Sequence, residues 1–160
     1  MMVQPFFVRF FGVLLLCVGL AACSTNKDSA PGLAGSAKPG SVQDFSVNVG
    51  DTVLFTVDSV TLTSSARGTL QRQAAWLKLY PGVTVEIQGH ADERGTREYN
   101  LGLSAQRAEA TRSFLASQGI TASRMRTISF GKERPAATCD AESCWTQNRR
   151  SVTAVSNTTS

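Results

Sequence analysis

The chain has 160 residues, enough for one globular domain of ordinary size with additional segments. Its hydrophobic content of 42% is typical of a folded protein, and its net charge of +4 comes from basic residues that are scattered along the chain. A nucleic-acid-binding surface, which needs a basic patch or run, is therefore not indicated.

The first 22 residues have the pattern of a secretory signal peptide. A single basic residue, Arg9, precedes the apolar run FFGVLLLCVGL, whose 11 residues are too few to span a membrane as a helix. The sequence LAAC, which ends at Cys23, resembles the lipobox at which bacterial lipoproteins are cleaved and acylated. We therefore expect a signal peptide over residues 1–22 and acyl chains such as palmitate on Cys23. Ser24, the next residue, fits sorting to the outer membrane, whereas an aspartate there would favour the inner membrane.

Residues 23–43 are rich in Ser, Gly, Ala and Pro and show no apolar periodicity. This composition predicts a flexible tether between the lipid and a globular domain at residues 44–160. Residues 44–51 are expected to form a strand-like lead-in to the first strand.

The globular domain alternates between strand and helix patterns. Val83, Val85 and Ile87 alternate with polar residues, as in a half-buried strand, whereas Thr63 and Thr96 are suited to cap two helices. The predicted strands are residues 52–57, 83–88, 125–130 and 151–155, and the predicted helices are residues 63–80, 96–119 and 141–149. The first of these helices should end before Pro81 and Gly82, and it carries an apolar stripe made of Ala66, Leu70, Ala74 and Leu77. The order β-α-β-α-β-(α)-β predicts an α+β sandwich with helices packed on a mixed four-stranded sheet.

The second long helix carries an arginine inside its apolar arc. On a helical wheel this arc contains Leu101, Ala105, Ala108, Thr111 and Leu115. Arg107 falls within it, and a buried arginine needs a carboxylate, a phosphate or equivalent acceptors. An internal salt bridge to Asp92 or Glu93, snorkelling to the surface and ligand binding are the alternatives.

The stretch GHADERGTREYNLGLSAQRA, residues 89–108, contains G-x-x-D followed by N-x-x-LS-x-x-RA. This pattern resembles the peptidoglycan-binding signature of OmpA-like domains, in the form found in peptidoglycan-associated lipoproteins. The resemblance extends from about Val53 to Val155 and includes the later GKERP and QNRR. It implies an OmpA-like fold for most of the domain. The aromatic-Asp-aromatic-Asp-Ser run of that family is matched here only at Asp58 and Ser59.

The resemblance also implies the residues of a binding site. In the family, the aspartate and the helix arginine hold the two charged ends of the side chain of diaminopimelate, a residue of the wall peptide. Those positions are Asp92 and Arg107 here. Asn100 matches the family's asparagine, and Arg149 and Arg150 match its terminal arginine motif.

The implied function is that of a lipoprotein on the periplasmic face of the outer membrane. It would bind peptidoglycan non-covalently and tether the membrane to the wall as part of the Tol-Pal system, with TolB as a partner. That role supports envelope integrity and constriction at cell division. An OmpA-like wall-binding lipoprotein without a Tol-system role is the alternative, while an inner-membrane stator would need a transmembrane helix where LAAC stands.

Cysteine and histidine usage argues against a metal site or an enzyme. Cys139 and Cys144 could bind zinc only with further ligands, and His90 is the only histidine, so a local disulfide is the better interpretation in an oxidising compartment. With one histidine and no phosphate-binding glycine motif, neither catalysis nor a cofactor is predicted. His90 is expected to be structural.

Overall fold

Two long helices lie on one face of a four-stranded sheet in the computed structural model, which describes residues 37–156. The predicted signal peptide, Cys23 and the predicted tether up to residue 36 lie outside the described residues. Among the helices of residues 37–156, none is both long enough and apolar enough to cross a membrane.

The strands are β1 (Thr52–Leu54), β2 (Thr84–Gly89), β3 (Met125–Ser129) and β4 (Arg150–Ser156). The helices are α1 (Val42–Asp44), α2 (Ser64–Leu79), α3 (Arg97–Ser117) and α4 (Glu142–Asn148), with a π-helical segment at Phe45–Val49 and a 3₁₀ turn at Ala122–Arg124. The sheet order is β1-β4-β2-β3; β4 is antiparallel to both its neighbours, and β2 is parallel to β3. This arrangement confirms the predicted α+β class and the mixed four-stranded sheet.

Helix α2 forms as its sequence predicts. The Thr63 side chain accepts a hydrogen bond from the backbone N–H of Ala66, which satisfies one of the free donors of the first turn. The predicted apolar stripe is buried against the sheet: Ala66, Leu70, Ala74 and Leu77. The helix ends just before Pro81, as expected from the turn residues there.

Helix α3 also begins and ends where the sequence predicts. The Thr96 hydroxyl caps the first turn by accepting from the N–H of Tyr99. At the other end Gly119 has a positive φ of +90°, and Ile120 donates its N–H back to the carbonyl of Leu115. This reversal satisfies carbonyls at the end of the helix and buries Ile120 in the core.

The buried face of α3 differs from the predicted apolar arc in its first half. Leu101 and Ala105 are exposed, whereas Ser104 is fully buried. The reason is a close backbone approach: a Cβ on Gly89 would lie only 1.8 Å from the carbonyl oxygen of Ser104. The Ser104 hydroxyl also accepts from the N–H of Gly131. The close contact of Ser104 with β2 and its hydrogen bond to Gly131 therefore determine which side of α3 is buried in this half of the helix. The predicted arc rested on hydrophobicity alone and was wrong for these residues.

Two predicted strand segments were wrong. Residues 44–51 do not form a strand: Asp44 accepts from Trp76 Nε1 at 2.8 Å and Phe45 packs on the same indole ring, which favours the helical turns observed. The first strand ends at Leu54 and not at residue 57, because the carbonyl of Thr56 accepts a hydrogen bond from Arg107 and the chain leaves the sheet. The helical turn at Val42 also overlaps the last residues of the predicted tether.

Candidate functional site

A cleft of about 310 Å³ opens beside the N-terminal half of α3, next to the loops that follow β1 and β2. Three of the residues that the sequence singled out, Asp92, Asn100 and Arg107, line it together. The complete lining is Val57, Asp58, Asp92, Arg94, Gly95, Tyr99, Asn100, Leu103 and Arg107. Charged groups thus lie within a partly apolar depression, where their interactions with a ligand are stronger than in open water.

Arg107 forms the floor of this cleft and has no solvent-exposed surface. Its guanidinium donates to three backbone carbonyls, those of Ser59, His90 and Thr56, at 3.0, 3.0 and 3.1 Å. Burial lowers the pKa of Arg107 to about 10, so the side chain remains charged at neutral pH. The carbonyl dipoles therefore stabilise a buried cation, and two of the five guanidinium N–H groups are left over.

Two of the alternatives for Arg107, an internal salt bridge and snorkelling to the surface, were wrong. Among the ion pairs within 4.0 Å that residues 37–156 form, none includes Arg107. The carboxylate of Asp92 is held by other arginines, and Glu93 accepts a hydrogen bond from Trp145 Nε1 at 2.8 Å. Snorkelling is also wrong, because no part of the side chain reaches the solvent.

Asp92 lies between two arginines. Arg94 donates its backbone N–H and Nε to one carboxylate oxygen and Nη2 to the other, the last at 2.7 Å. Arg149 donates Nη1 to the second oxygen at 3.1 Å. Burial raises the pKa of Asp92, but the hydrogen bonds from Arg94 and Arg149 outweigh it, so the pKa lies below its ordinary value. The carboxylate is therefore ionised at neutral pH and held in one orientation.

The two arginines differ in how they hold Asp92. The Arg149 side chain is buried behind the carboxylate, where it also donates to the Phe55 carbonyl and to the side chains of Glu142 and Thr146. The Arg94 side chain is 41% exposed at the cleft. Arg149 thus fixes Asp92 from within, and Arg94 covers it from the solvent side.

Asn100 lines the cleft, whereas Arg150 lies outside it. Asn100 is buried, and its amide donates to the carbonyl of Arg94 at 2.7 Å, which ties the loop after β2 to helix α3. Arg150 does not line the cleft; it donates to the carbonyls of Arg134 and Asn148. Of the two terminal arginines, Arg149 is the one that contacts Asp92. A role for Arg150 in ligand binding stays a prediction.

A disulfide between Cys139 and Cys144, with Cα atoms 5.7 Å apart, closes a short loop at the start of α4. Closing so small a loop contributes about 2 kcal/mol to stability on the chain-entropy estimate. Helix α4 supplies Glu142, which pairs with Arg149, and Trp145, whose ring lies 4.2 Å from the guanidinium of Arg94. The disulfide therefore orders the helix that supports both arginines on Asp92. In residues 37–156 no cluster of three or more His, Cys, Asp or Glu side chains is placed to hold a metal ion.

A tyrosine and an aspartate form one wall of the cleft. The hydroxyl of Tyr99 donates to the carboxylate of Asp58, which joins α3 to the loop after β1. Asp58 has a positive φ of +48°, a conformation that is uncommon for residues other than glycine. Tyr99 is half exposed, so this wall lies at the surface and is not part of the core.

Sequence reasoning did not single out Arg94 or Tyr99, although both lie within residues 89–108. Arg94 could have been found from its position two residues after Asp92, where an aspartate side chain commonly accepts from the backbone in an Asx turn. Tyr99 lies four residues before Leu103, so the two side chains share one face of the helix. Trp145 carried no comparable signal, because its position depends on where α4 packs.

His90 is buried at the end of β2, as expected of a structural residue. Its ring packs against Phe130 with centroids 5.4 Å apart, and its backbone carbonyl accepts from Arg107. Burial, together with the positive charge of Arg150, lowers the pKa of His90 from 6.5 to about 4. The imidazole is thus neutral in the folded protein at the pH values at which an exposed histidine becomes charged.

We expect the free energy of unfolding to fall between pH 6.5 and pH 4 because of His90. In this window the unfolded chain binds a proton at His90 and the folded chain does not, so acid favours unfolding, by about 2 kcal/mol after allowance for partial screening. Urea titrations at several pH values should show this loss in wild type and a smaller one in His90→Gln. An equal pH dependence in the two proteins would contradict the assignment.

The architecture of two helices on a mixed four-stranded sheet, with a charged cleft at one end, is that of an OmpA-like domain. The model of the OmpA family matches residues 54–149. In structure, the chain is similar to the crystal structure of the peptidoglycan-associated lipoprotein from Burkholderia pseudomallei, with a TM-score of 0.68 and 36% identity over 72% of this chain and 100% of that one. The C-terminal domain of Helicobacter pylori MotB has the same fold, with a TM-score of 0.64 at 21% identity.

Relatives that match over most of their length agree with the structural comparison. The peptidoglycan-associated lipoprotein of Agrobacterium fabrum is 58% identical over 148 residues, which are 88% of this chain and 83% of that protein. That of Haemophilus influenzae is 36% identical over 92% of this chain and 97% of that protein. The chain therefore belongs to the OmpA family, as one of its peptidoglycan-associated lipoproteins.

Proposed function

We propose that this chain is an outer-membrane lipoprotein that binds peptidoglycan non-covalently through diaminopimelate. The names of its relatives support wall binding, and the observation that carries the finer assignment is Arg107. The guanidinium is fully buried at the floor of a cleft, where it donates to three carbonyls and lies 5.3 Å from the centre of the Phe55 ring. No carboxylate among the described residues comes within 4.0 Å of it, although the charge of Asp92 acts on it from further away. A ligand carboxylate would neutralise the guanidinium by direct contact.

The side chain of diaminopimelate ends in an ammonium and a carboxylate on the same carbon. Arg107 would donate its two remaining N–H groups to the carboxylate, and Asp92 would accept from the ammonium. Asp92 and Arg107 line the same cleft, so one zwitterionic group can satisfy both. Arg149 and Asn100 would act indirectly, by fixing the carboxylate of Asp92 and the loop that carries it.

Two contacts have to change for the ligand to enter. Arg94 occupies both oxygens of Asp92, but its side chain is 41% exposed and can turn toward solvent as the ammonium takes its place. Arg107 is out of reach of solvent, so the wall formed by Tyr99 and Asp58 must move outward. Both changes involve surface side chains, so the sheet and the long helices remain as they are.

Binding to intact cell wall provides the test of this function. Purified protein should sediment with isolated peptidoglycan, and a wall peptide that contains diaminopimelate should release it, whereas the same peptide with lysine in that place, which lacks the side-chain carboxylate, should not. Release by neither peptide or by both equally would contradict recognition of diaminopimelate.

We expect Cys23 to carry the lipid anchor. Cys23→Ala should remain uncleaved and unacylated, because acylation needs the cysteine thiol and two or more chains are required for durable anchoring. Intact-mass measurements on membrane-extracted protein would show the added acyl mass in wild type only. Ordinary cleavage of the wild type without lipid would contradict the proposal.

We also propose that the protein works in the Tol-Pal system, with TolB as its periplasmic partner and a role in envelope integrity and cell division. The similarity to peptidoglycan-associated lipoproteins over most of the chain supports this assignment. Co-purification of TolB with the protein, at a defined stoichiometry, is the expected result. A protein that binds the wall but never TolB would instead fit a lipoprotein without a Tol-system role.

A further inference from the structure

A second cleft of about 330 Å³ lies beside the first along α3. The two share Asp58, Tyr99 and Leu103, so the hydrogen bond between Asp58 and Tyr99 is part of the wall that separates them. A ligand that moves this wall to reach Arg107 would bring the two clefts into one groove. A peptide whose diaminopimelate side chain fills the first cleft would then have its backbone at the mouth of the second.

The lining of the second cleft suits a small, uncharged peptide residue. It contains the carboxylates of Asp58 and Glu98, the amide of Gln106 and the apolar side chain of Val60, and no lysine or arginine. Gly102 opens the cleft, because a Cβ there would have no atom within 4 Å. The carboxylates can accept a peptide N–H and would repel a ligand carboxylate.

We propose that this second cleft binds the D-alanine that follows diaminopimelate in the stem peptide, when the carboxyl group of that alanine is in a further amide bond. The inference rests on the proposed function, since the first cleft must hold diaminopimelate. The residue on the other side of diaminopimelate is a γ-linked D-glutamate with a free carboxylate, which Asp58 and Glu98 would repel. The protein would therefore favour pentapeptide stems, and cross-linked stems that donate their D-alanine carboxyl and keep a free diaminopimelate ammonium, over stems that end in a free D-alanine carboxylate.

The test compares two stem peptides that both end as amides, a tripeptide ending in diaminopimelate and a tetrapeptide with one added D-alanine. Calorimetry with the purified full-length chain in detergent should show that the added residue tightens binding about 3- to 10-fold, as expected from one buried methyl group and one hydrogen bond. A tetrapeptide with a free terminal carboxylate should lose this gain, and Glu98→Gln should restore part of it.

Substitutions at Gly102 separate the second cleft from the first. Gly102→Phe should fill the second cleft and abolish the gain from D-alanine while the tripeptide amide binds as in wild type, and Gly102→Ala should retain the gain. Equal affinity of wild type for the two amides, or a gain that survives Gly102→Phe, would overturn the second subsite alone. Failure of wild type to bind the tripeptide amide would overturn the proposed function and the subsite with it.

Discussion

Gly89→Ala is expected to destabilise the domain by about 3 kcal/mol or more. The added Cβ would lie 1.8 Å from the carbonyl oxygen and 2.6 Å from the carbonyl carbon of Ser104. Both are backbone atoms of α3, so the helix would have to move away from β2 as a whole, and the bonds of Ser104 to the turn at Gly131 would stretch. Urea unfolding at pH 7 measures the loss.

Gly102→Ala is the matched control on the same helix. Its Cβ would meet no atom within 4 Å, and replacing glycine by alanine inside an exposed helix stabilises it by about 0.5–1 kcal/mol. If both variants were equally stable, the close contact between β2 and α3 would not constrain the fold.

Patterns of local origin were enough to predict most of the fold. Alternation in β2, the apolar stripe of α2 and the threonine caps at Thr63 and Thr96 depend on neighbours within a few residues, and all are observed. The helical segment at residues 42–49 was missed because it depends on a contact between Phe45 and Trp76, far apart in sequence.

Some residues of the candidate site were predicted, but Arg94 and Tyr99 and the contacts between the site residues were not. The apolar arc around Arg107 indicated that this arginine is buried, and it is. Its acceptors are carbonyls, which every residue carries, so no side-chain pattern could identify them. The pairing of Asp92 with Arg149 joins residues 57 positions apart and depends on how α4 packs, which spacing along the chain does not reveal.

Removing either charge of the proposed clamp should weaken binding of a diaminopimelate peptide about 10- to 150-fold. This range corresponds to the loss of a charged hydrogen-bond partner, about 1.5–3 kcal/mol. Asp92→Ala would leave the ligand ammonium unpaired, and Arg107→Ala would leave its carboxylate unpaired. Arg107→Lys should also bind weakly, because an ammonium cannot reproduce the planar pair of donors.

The same substitutions also affect folding. Arg107 joins the loop after β1 to the end of β2 through the carbonyls of Thr56, Ser59 and His90, so Arg107→Ala should lower the free energy of unfolding. Affinity must therefore be measured where each variant is fully folded, as judged by circular dichroism. A loss of affinity that disappeared under those conditions would show that Arg107 only supports the cleft.

The most direct test of the clamp changes the ligand and the protein together. Calorimetric titrations would compare a diaminopimelate peptide with its analogue whose side-chain carboxylate is an amide, each against wild type and Arg107→Ala, as a double-mutant cycle. If Arg107 binds the carboxylate, the amide should bind wild type at least about 10-fold more weakly and Arg107→Ala with almost no further loss. The same penalty in both proteins would show that Arg107 does not contact the carboxylate and would contradict the proposed recognition of diaminopimelate.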